Sequence, residues 1–433
     1  MKRFFALFLA FIICVGAMAG CGSKTESTPA AVTETASKNS EPIKFEFWHS
    51  MSGDMEKTLL AMVDEFNASQ DKYYCEALYQ GTYYEASAKI QAAMVTNDAP
   101  ALVQMECLRV VMFQEEDVIR DLTDLVDAHP EIEYDDFQKA FMDNCEFNGG
   151  IWAIPFNRST PICYYNVDLF KEMGLEVPTT WEELHETAKA LSIKDKRWGF
   201  ECPIDTWFYE CMVIQSGGSL FNEEYTSIGF ENEAGTEPLY FWREMLADGS
   251  MRAPAGQEYG SWDIAKADFP NGVCGMVCLS TGNFGGLRSA SKFEVGAFFL
   301  PANIKHGVVT GGANLMIIDG VPEEQIEGAF ELILFLTTAE KCAEWSAATG
   351  YVPVKKGVEN TKIWKDHVAN IPAAQVSLDQ MAYGDVRPVH PDYNEIHTVT
   401  IMNAIQKCMM DESYTPEQCV ADIADGVEAF LAK

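Results

Sequence analysis

The residues of this chain that could do chemistry are 65 carboxylates, thirteen cysteines and seven histidines, and their spacing limits what they can do. No His-Glu-x-x-His run puts two imidazoles and a general base on one helical face, so metal-assisted hydrolysis lacks its usual ligands. Cys274 and Cys278 stand four apart without a second pair at zinc-ribbon spacing. No Walker or dinucleotide glycine loop follows a strand, and no Gly-x-Ser-x-Gly elbow presents a nucleophile. Neither a metal nor a cofactor is expected. A carboxylate pair flanking a glycosidic bond stays open, because separation in space is not written in the chain. Two glycine-rich stretches, Thr281-Gly282-Asn283-Phe284-Gly285-Gly286 and Thr310-Gly311-Gly312-Ala313, are loops where backbone can approach a ligand closely.

The elements that must position such loops alternate between strand and helix. Ile43 to Phe47 alternates apolar and polar residues, the period of a half-buried strand. A helix follows with Leu59, Met62, Val63 and Phe66 on one face. Tyr74 to Tyr79, Glu85 to Thr96 and Ala101 to Met105 read as strand, helix and strand, which implies βαβ units and a largely parallel sheet. Further on, Thr180-Trp181-Glu182-Glu183 and Thr415-Pro416-Glu417-Gln418 are capping boxes. A helix after Pro322 buries Ile326, Ala329, Phe330 and Ile333, and the next one stops at Gly350.

The N-terminus carries an address. Lys2 and Arg3 precede an apolar run, Phe4 to Ala19, shorter than the ~18–20 residues that span a bilayer. Met18-Ala19-Gly20-Cys21 resembles a bacterial lipobox, in which the cysteine is acylated and becomes the mature N-terminus. Gly22 to Pro42 is polar and reads as a tether. Residues 43–433 are too many for one core and suit two domains. Removing residues 1–20 takes away Lys2 and Arg3 and moves the net charge from −34 to −36, which excludes nucleic acid and anionic lipid headgroups as partners. Without Cys14 and Cys21, eleven cysteines remain, an odd number that favours mostly free, core-packed thiols.

Eight segments in order carry a resemblance: Phe47-Trp48-His49-Ser50-Met51, Gly81-Thr82-Tyr83-Tyr84, Asn97-Asp98-Ala99-Pro100, Pro155-Phe156-Asn157-Arg158-Ser159-Thr160-Pro161, Tyr164-Tyr165-Asn166, Thr180-Trp181, Gly311-Gly312-Ala313 and Thr349-Gly350-Tyr351-Val352-Pro353. Together they resemble family 1 extracellular solute-binding proteins, in particular receptors for glycerol 3-phosphate and glycerophosphodiesters and related sugar-binding lipoproteins. The similarity runs from Phe47 to the C-terminus and is patchy between Cys202 and Asp268. It implies an α/β, two-lobed periplasmic-binding-protein-like fold with a hinge and an interlobe ligand cleft. Lobe 1 would hold residues 43–155 and 311–345, and lobe 2 residues 156–310 and 346–433. The implied role is non-enzymatic: a lipid-anchored monomer captures a small carbohydrate or glycerophosphate ligand and delivers it to ABC permease subunits. The alternatives are a surface-anchored glycoside hydrolase or phosphodiesterase, and a structural adhesion lipoprotein.

Site residues follow from the matching motifs. Tyr83, Ser159, Ser280, Gly312 and Tyr351 stand at the family's contact positions, and Trp181 at a tryptophan lining the cleft. Glu106 follows Gln104 after one residue where the family has two between glutamine and glutamate. The family's late arginine falls at or beside His397, with Arg387 or Arg158 as candidates to take its place. Rings would stack on a polyol's apolar faces while hydroxyls and backbone amides take its oxygens.

Overall fold

In the computed structural model, which describes residues 41–223, 225–256 and 259–431, Ile43–His49 (β1) buries Phe45, Phe47 and His49 and turns Lys44 and Glu46 outward. Cys21 and residues 22–40 lie outside the described residues. Helix Gly53–Ser69 buries the predicted stripe Leu59, Met62, Val63 and Phe66. The later strands are Tyr73–Tyr79 (β2), Leu102–Glu106 (β3), Glu146–Phe147 (β4), Gly150–Ile151 (β5), Ile154–Ser159 (β6), Pro161–Asn166 (β7) and Trp198–Glu201 (β8). Met251–Arg252 (β9), Cys274–Ser280 (β10), Val295–Phe298 (β11), Val308–Val309 (β12), Gly311–Ile317 (β13) and Gly384–Asp385 (β14) complete them.

Ten of these strands form two five-stranded sheets, in the orders β2-β1-β3-β13-β6 and β11-β7-β10-β8-β9. The sheets are mixed rather than largely parallel. β1 pairs parallel with β2 and β3, but β13 runs antiparallel to both β3 and β6, and β7 runs antiparallel to β10 and β11. The parallel rule applies to strands joined by a crossover helix over one sheet. β13 instead arrives from the other sheet and enters in the opposite sense.

The chain leaves the first sheet at Thr160, between β6 and β7, and comes back at Thr310, between β12 and β13. β6 therefore belongs wholly to the first sheet, where the expected boundary divided it after Pro155. A second difference lies near the C-terminus. Trp345, Val352, Val354, Val358 and Trp364 pack into the first core with Phe156, Phe330 and Ile333. Residues 346–364, expected in the second lobe, thus lie with the first. Gly350, at φ 96, closes helix Ala339–Thr349 and turns the chain back, and distant pairing holds it there: the Val352 amide donates to the Arg158 carbonyl at 2.9 Å. From Ala374 onward the buried residues, among them Tyr393, Ile396, Ile405, Cys408 and Val427, belong to the second core.

The central strands β3 and β13 are covered on both faces and are therefore buried almost throughout, whereas β1 and β2 alternate. Leu102, Leu315 and Ile317 face one core, whereas Val103, Met105, Met316 and Ile318 face another. The eleven cysteines among the described residues are buried and unbridged. Burial pushes thiols such as Cys145 and Cys211 up to about 12, which makes them inert packing groups. Among the described residues, no helix is long and apolar enough to cross a membrane.

His49, at the end of β1, is 1% exposed. Burial holds its imidazole down to about 4 against a weaker upward pull from the Met51 backbone. Between about pH 6.5 and 4 the unfolded chain takes a proton there that the folded chain refuses, so stability falls as the pH drops through that window. The loss attributable to His49 reaches about 3 kcal/mol, at ~1.4 kcal/mol per unit. Urea unfolding at a series of pH values should show this slope in wild type and a shallower one in His49→Gln; equal slopes would remove His49 as its source.

Candidate functional site

Between the two sheets lies a cleft of about 480 Å³, lined from both sides. On the first side it is built by a helix start. Thr82 Oγ1 accepts from the Glu85 amide at 3.3 Å, and Glu85 Oε2 accepts from the Thr82 amide at 2.7 Å. This capping box starts the helix at Tyr83, two residues before the predicted Glu85, and sets Tyr83 and Tyr84 into the cleft wall. The Tyr83 hydroxyl accepts from Asn157 Nδ2 at 3.1 Å and Gln104 Nε2 at 3.4 Å. Those amides are themselves joined, Gln104 Nε2 to Asn157 Oδ1, at 2.6 Å. Two donors on its lone pairs leave the Tyr83 O–H as a donor, and burial keeps it well above the ordinary phenol range.

Glu106 ends β3 at the cleft, its Oε2 3.8 Å from Arg109 Nε and without a hydrogen-bond partner. Arg109 is buried behind it, with its guanidinium 5.0 Å from the Tyr84 ring centre. The Tyr84 ring lies 5.9 Å from that of Tyr259, which comes from the opposite wall.

The second wall is an aromatic shelf. Asp205 caps helix Thr206–Gln215: Oδ1 accepts from the Trp207 amide at 2.8 Å, and Oδ2 accepts from Trp262 Nε1 at 2.9 Å. One carboxylate thus fixes two rings, and Trp207 and Trp262 stack with centroids 6.0 Å apart. Trp207 Nε1 donates to the Val309 carbonyl at 3.0 Å, which ties the shelf to the returning chain.

The floor comes from the crossings. Ser159 ends β6, and Ser280 caps the turn after β10, its Oγ accepting from the Gly282 amide at 3.2 Å. Gly312, at φ +85, lets β13 press against β6; a Cβ there would lie 2.1 Å from the Asn157 carbonyl oxygen. The Tyr351 ring stacks on Trp345 at 6.0 Å and covers Gly282, where a Cβ would meet it at 2.7 Å.

At the last corner Arg387 and His397 line the cleft over a buried acid. Glu210 Oε2 accepts from Arg387 Nε at 2.9 Å, and its Oε1 from the Tyr393 hydroxyl at 2.7 Å. His397 Nδ1 lies 2.6 Å from the same Oε1. Burial raises the Glu210 carboxyl, but Arg387, His397 and Tyr393 outweigh it and bring it down to about 2. With Glu210 ionised, Nδ1 of His397 carries the shared proton, and this fixes the ring.

The cleft therefore brings together Tyr83, Glu106, Ser159, Ser280, Gly312, Tyr351, Arg387 and His397. Trp181 does not join them. It is 8% exposed, stacks on Phe241 at 4.9 Å and donates from Nε1 to Gln215 Oε1 at 2.8 Å within the second core. The capping box placed its helix correctly, but the buried stripe of that helix takes the indole inward. Arg158 is also interior: its guanidinium is spent on the carbonyls of Gly311 and Phe141 and on Asn144, Thr310 and Asn314. Of the two candidate arginines, only Arg387 reaches the cleft. Glu106, despite its shifted spacing, faces it. Sequence reasoning missed Tyr84, Asp205, Trp207, Tyr259, Trp262 and Glu210, and all but Tyr84 fall where the resemblance is patchy. One signal was present: an acid in the middle of Trp207-Phe208-Tyr209-Glu210-Cys211-Met212-Val213, a run apolar on every side, must have a charged partner. Among the described residues, no group of three or more His, Cys, Asp or Glu is placed to hold a metal.

Residues 61–373 match the family described as bacterial extracellular solute-binding protein. The sn-glycerol-3-phosphate-binding periplasmic protein UgpB of Yersinia pestis is 26% identical over 374 residues, 81% of this chain and 83% of the relative. Among solved structures, UgpB from Mycobacterium tuberculosis in complex with glycerophosphocholine superposes with a TM-score of 0.79 at 24% identity, covering 91% of this chain and 99% of that one. The GacH receptor of Streptomyces glaucescens, solved unliganded and with acarbose, gives 0.81 at 18% identity, with 90% and 99% covered. At these identities the two structures share the two-lobed fold.

Proposed function

The chain belongs to the bacterial extracellular solute-binding proteins, and from that premise we propose that it captures a glycerophosphodiester and delivers it to the permease of an ABC importer. Acylated Cys21 would hold it at the outer face of the cell membrane, where it acts as a monomer. The observation that carries the ligand reading is the make-up of the cleft. Arg387 offers N–H donors at a corner it shares with His397, the hydroxyls of Tyr83, Ser159 and Ser280 line the cleft, and Trp207 and Trp262 form a shelf. A phosphodiester linked to a glycerol suits that set: charged oxygens at the arginine corner, hydroxyls on the floor, and an apolar or cationic headgroup on the rings. The relatives bearing glycerol-3-phosphate and glycerophosphocholine in their names support the same class.

Transport needs no covalent step from this chain. Ligand bridging the two walls favours the closed state by its differential affinity, and closure is the signal a permease can read. A second reading, an oligosaccharide ligand, is favoured by the stacked Trp207–Trp262 shelf.

The test is thermal unfolding of the purified chain with glycerophosphocholine, glycerol 3-phosphate and maltose-type saccharides. A ligand at a hundredfold excess over Kd should add about 2.7 kcal/mol. Stabilisation by glycerophosphocholine supports the proposal. Stabilisation by saccharides alone would replace it with the second reading, and turnover of any of these compounds would return the protein to the hydrolase class.

A further inference from the structure

The corner formed by Arg387 and His397 has a feature that ligand contact does not explain. Glu210 lies beneath both, 1% exposed, in contact with Arg387, Tyr393 and His397 and absent from the cleft lining. The charge of Arg387 is cancelled from below through Nε, while the residue still lines the cleft. The other lysine or arginine lining the cleft among the described residues, Lys266, pairs with Asp263 at 2.7 Å. Asp205 adds negative charge along one wall, and on the other Glu106 is met by Arg109 behind it at 3.8 Å. The cleft thus has hydrogen-bond donors for phosphoryl oxygens without surplus positive charge.

We infer that Glu210 is a positioning residue that sets which anion the cleft accepts: with its charge in place the site takes a monoanionic phosphodiester and turns away a dianionic phosphomonoester. The inference rests on the phosphodiester reading above and narrows it. A diester carries one charge, met by the N–H groups of Arg387 and the neighbouring dipoles. A monoester above its second pKa of roughly 6 carries a second charge, which meets no uncancelled cation and faces the carboxylates of the walls.

Calorimetry on the full chain at about pH 8 tests this with two probes that differ by one charge and one methyl group: glycerol 3-phosphate and its methyl diester. Wild type should bind the diester at least about tenfold more tightly, and Glu210→Gln should move that ratio about tenfold toward the monoester. Glu210→Asp, which keeps the charge on a shorter arm, should keep the wild-type ratio even where both affinities fall. The wild-type comparison stands by itself should Glu210→Gln fail to fold. Equal binding of the two probes by wild type, or a variant that weakens both by the same factor, would overturn the charge-setting role while the phosphodiester reading survives. Saccharide binding with neither phosphate probe bound would overturn both.

Discussion

Replacing Arg387 by Gln is expected to cost about 3–5 kcal/mol of stability and to weaken binding of a phosphate-bearing ligand by about a hundredfold or more. Arg387 is 4% exposed and Glu210 1%, so the substitution strands an ionised carboxylate in the core rather than merely removing a surface contact. Tyr393 and His397 still contact Oε1, so the substitution leaves Oε2 as the unpartnered buried oxygen. Urea unfolding of the ligand-free chain measures the first effect and calorimetry the second. A double variant, Arg387→Gln with Glu210→Gln, should recover much of the stability because no buried charge is left alone, but it should not recover binding. If the single variant unfolds at the wild-type midpoint, the pair is not the buried unit described here. Loss of stability with unchanged affinity would make Arg387 a structural residue only.

The second large effect is expected at Gly312, where an alanine would weaken ligand binding with no change in charge or polarity. At φ +85 a Cβ is strained in any surroundings, by about 1–3 kcal/mol. Here it would also lie 2.1 Å from the Asn157 carbonyl oxygen, an atom of the paired strand that cannot step aside as a flexible side chain would. The strands β6 and β13 must separate, and Asn157 carries the hydrogen bond to Tyr83 and stands two residues before Ser159. We expect Gly312→Ala to lose about 3 kcal/mol or more and at least tenfold in affinity. Gly357→Ala is the matched control: its φ is +84 with nothing within 4 Å of the added atom, so it should show about 1 kcal/mol of backbone strain and normal binding. Equal behaviour of the two variants would mean that the close approach of β6 and β13 is unimportant to the cleft.

Local order was legible in the chain wherever a few neighbouring residues decide it. The stripe Leu59, Met62, Val63 and Phe66, the capping boxes at Thr180 and Thr415 and the glycine stop at Gly350 depend on hydrogen bonds and periodicity within one turn or one face. The ordered series of motifs carried the two-lobed class and most of the cleft residues, since Tyr83, Ser159, Ser280, Gly312 and Tyr351 lie at or beside the ends of helices and strands.

What the chain alone left undecided is direction and distant pairing. Trp181 had the right helix and the wrong side, because its indole follows Phe241 and Gln215, which belong to other elements. Residues 346–364 went to the first core because Trp345 found Phe156 there, a contact between segments nearly two hundred positions apart. Arg158 and Arg387 were equivalent as letters; their partners made one a strut and the other a cleft residue. A backbone turn is set by hydrogen bonds a few residues long, so sequence can determine it. The charge state and aim of a buried side chain depend on groups that only folding brings together, as it brings Glu210 to Arg387, Tyr393 and His397 across some 180 residues.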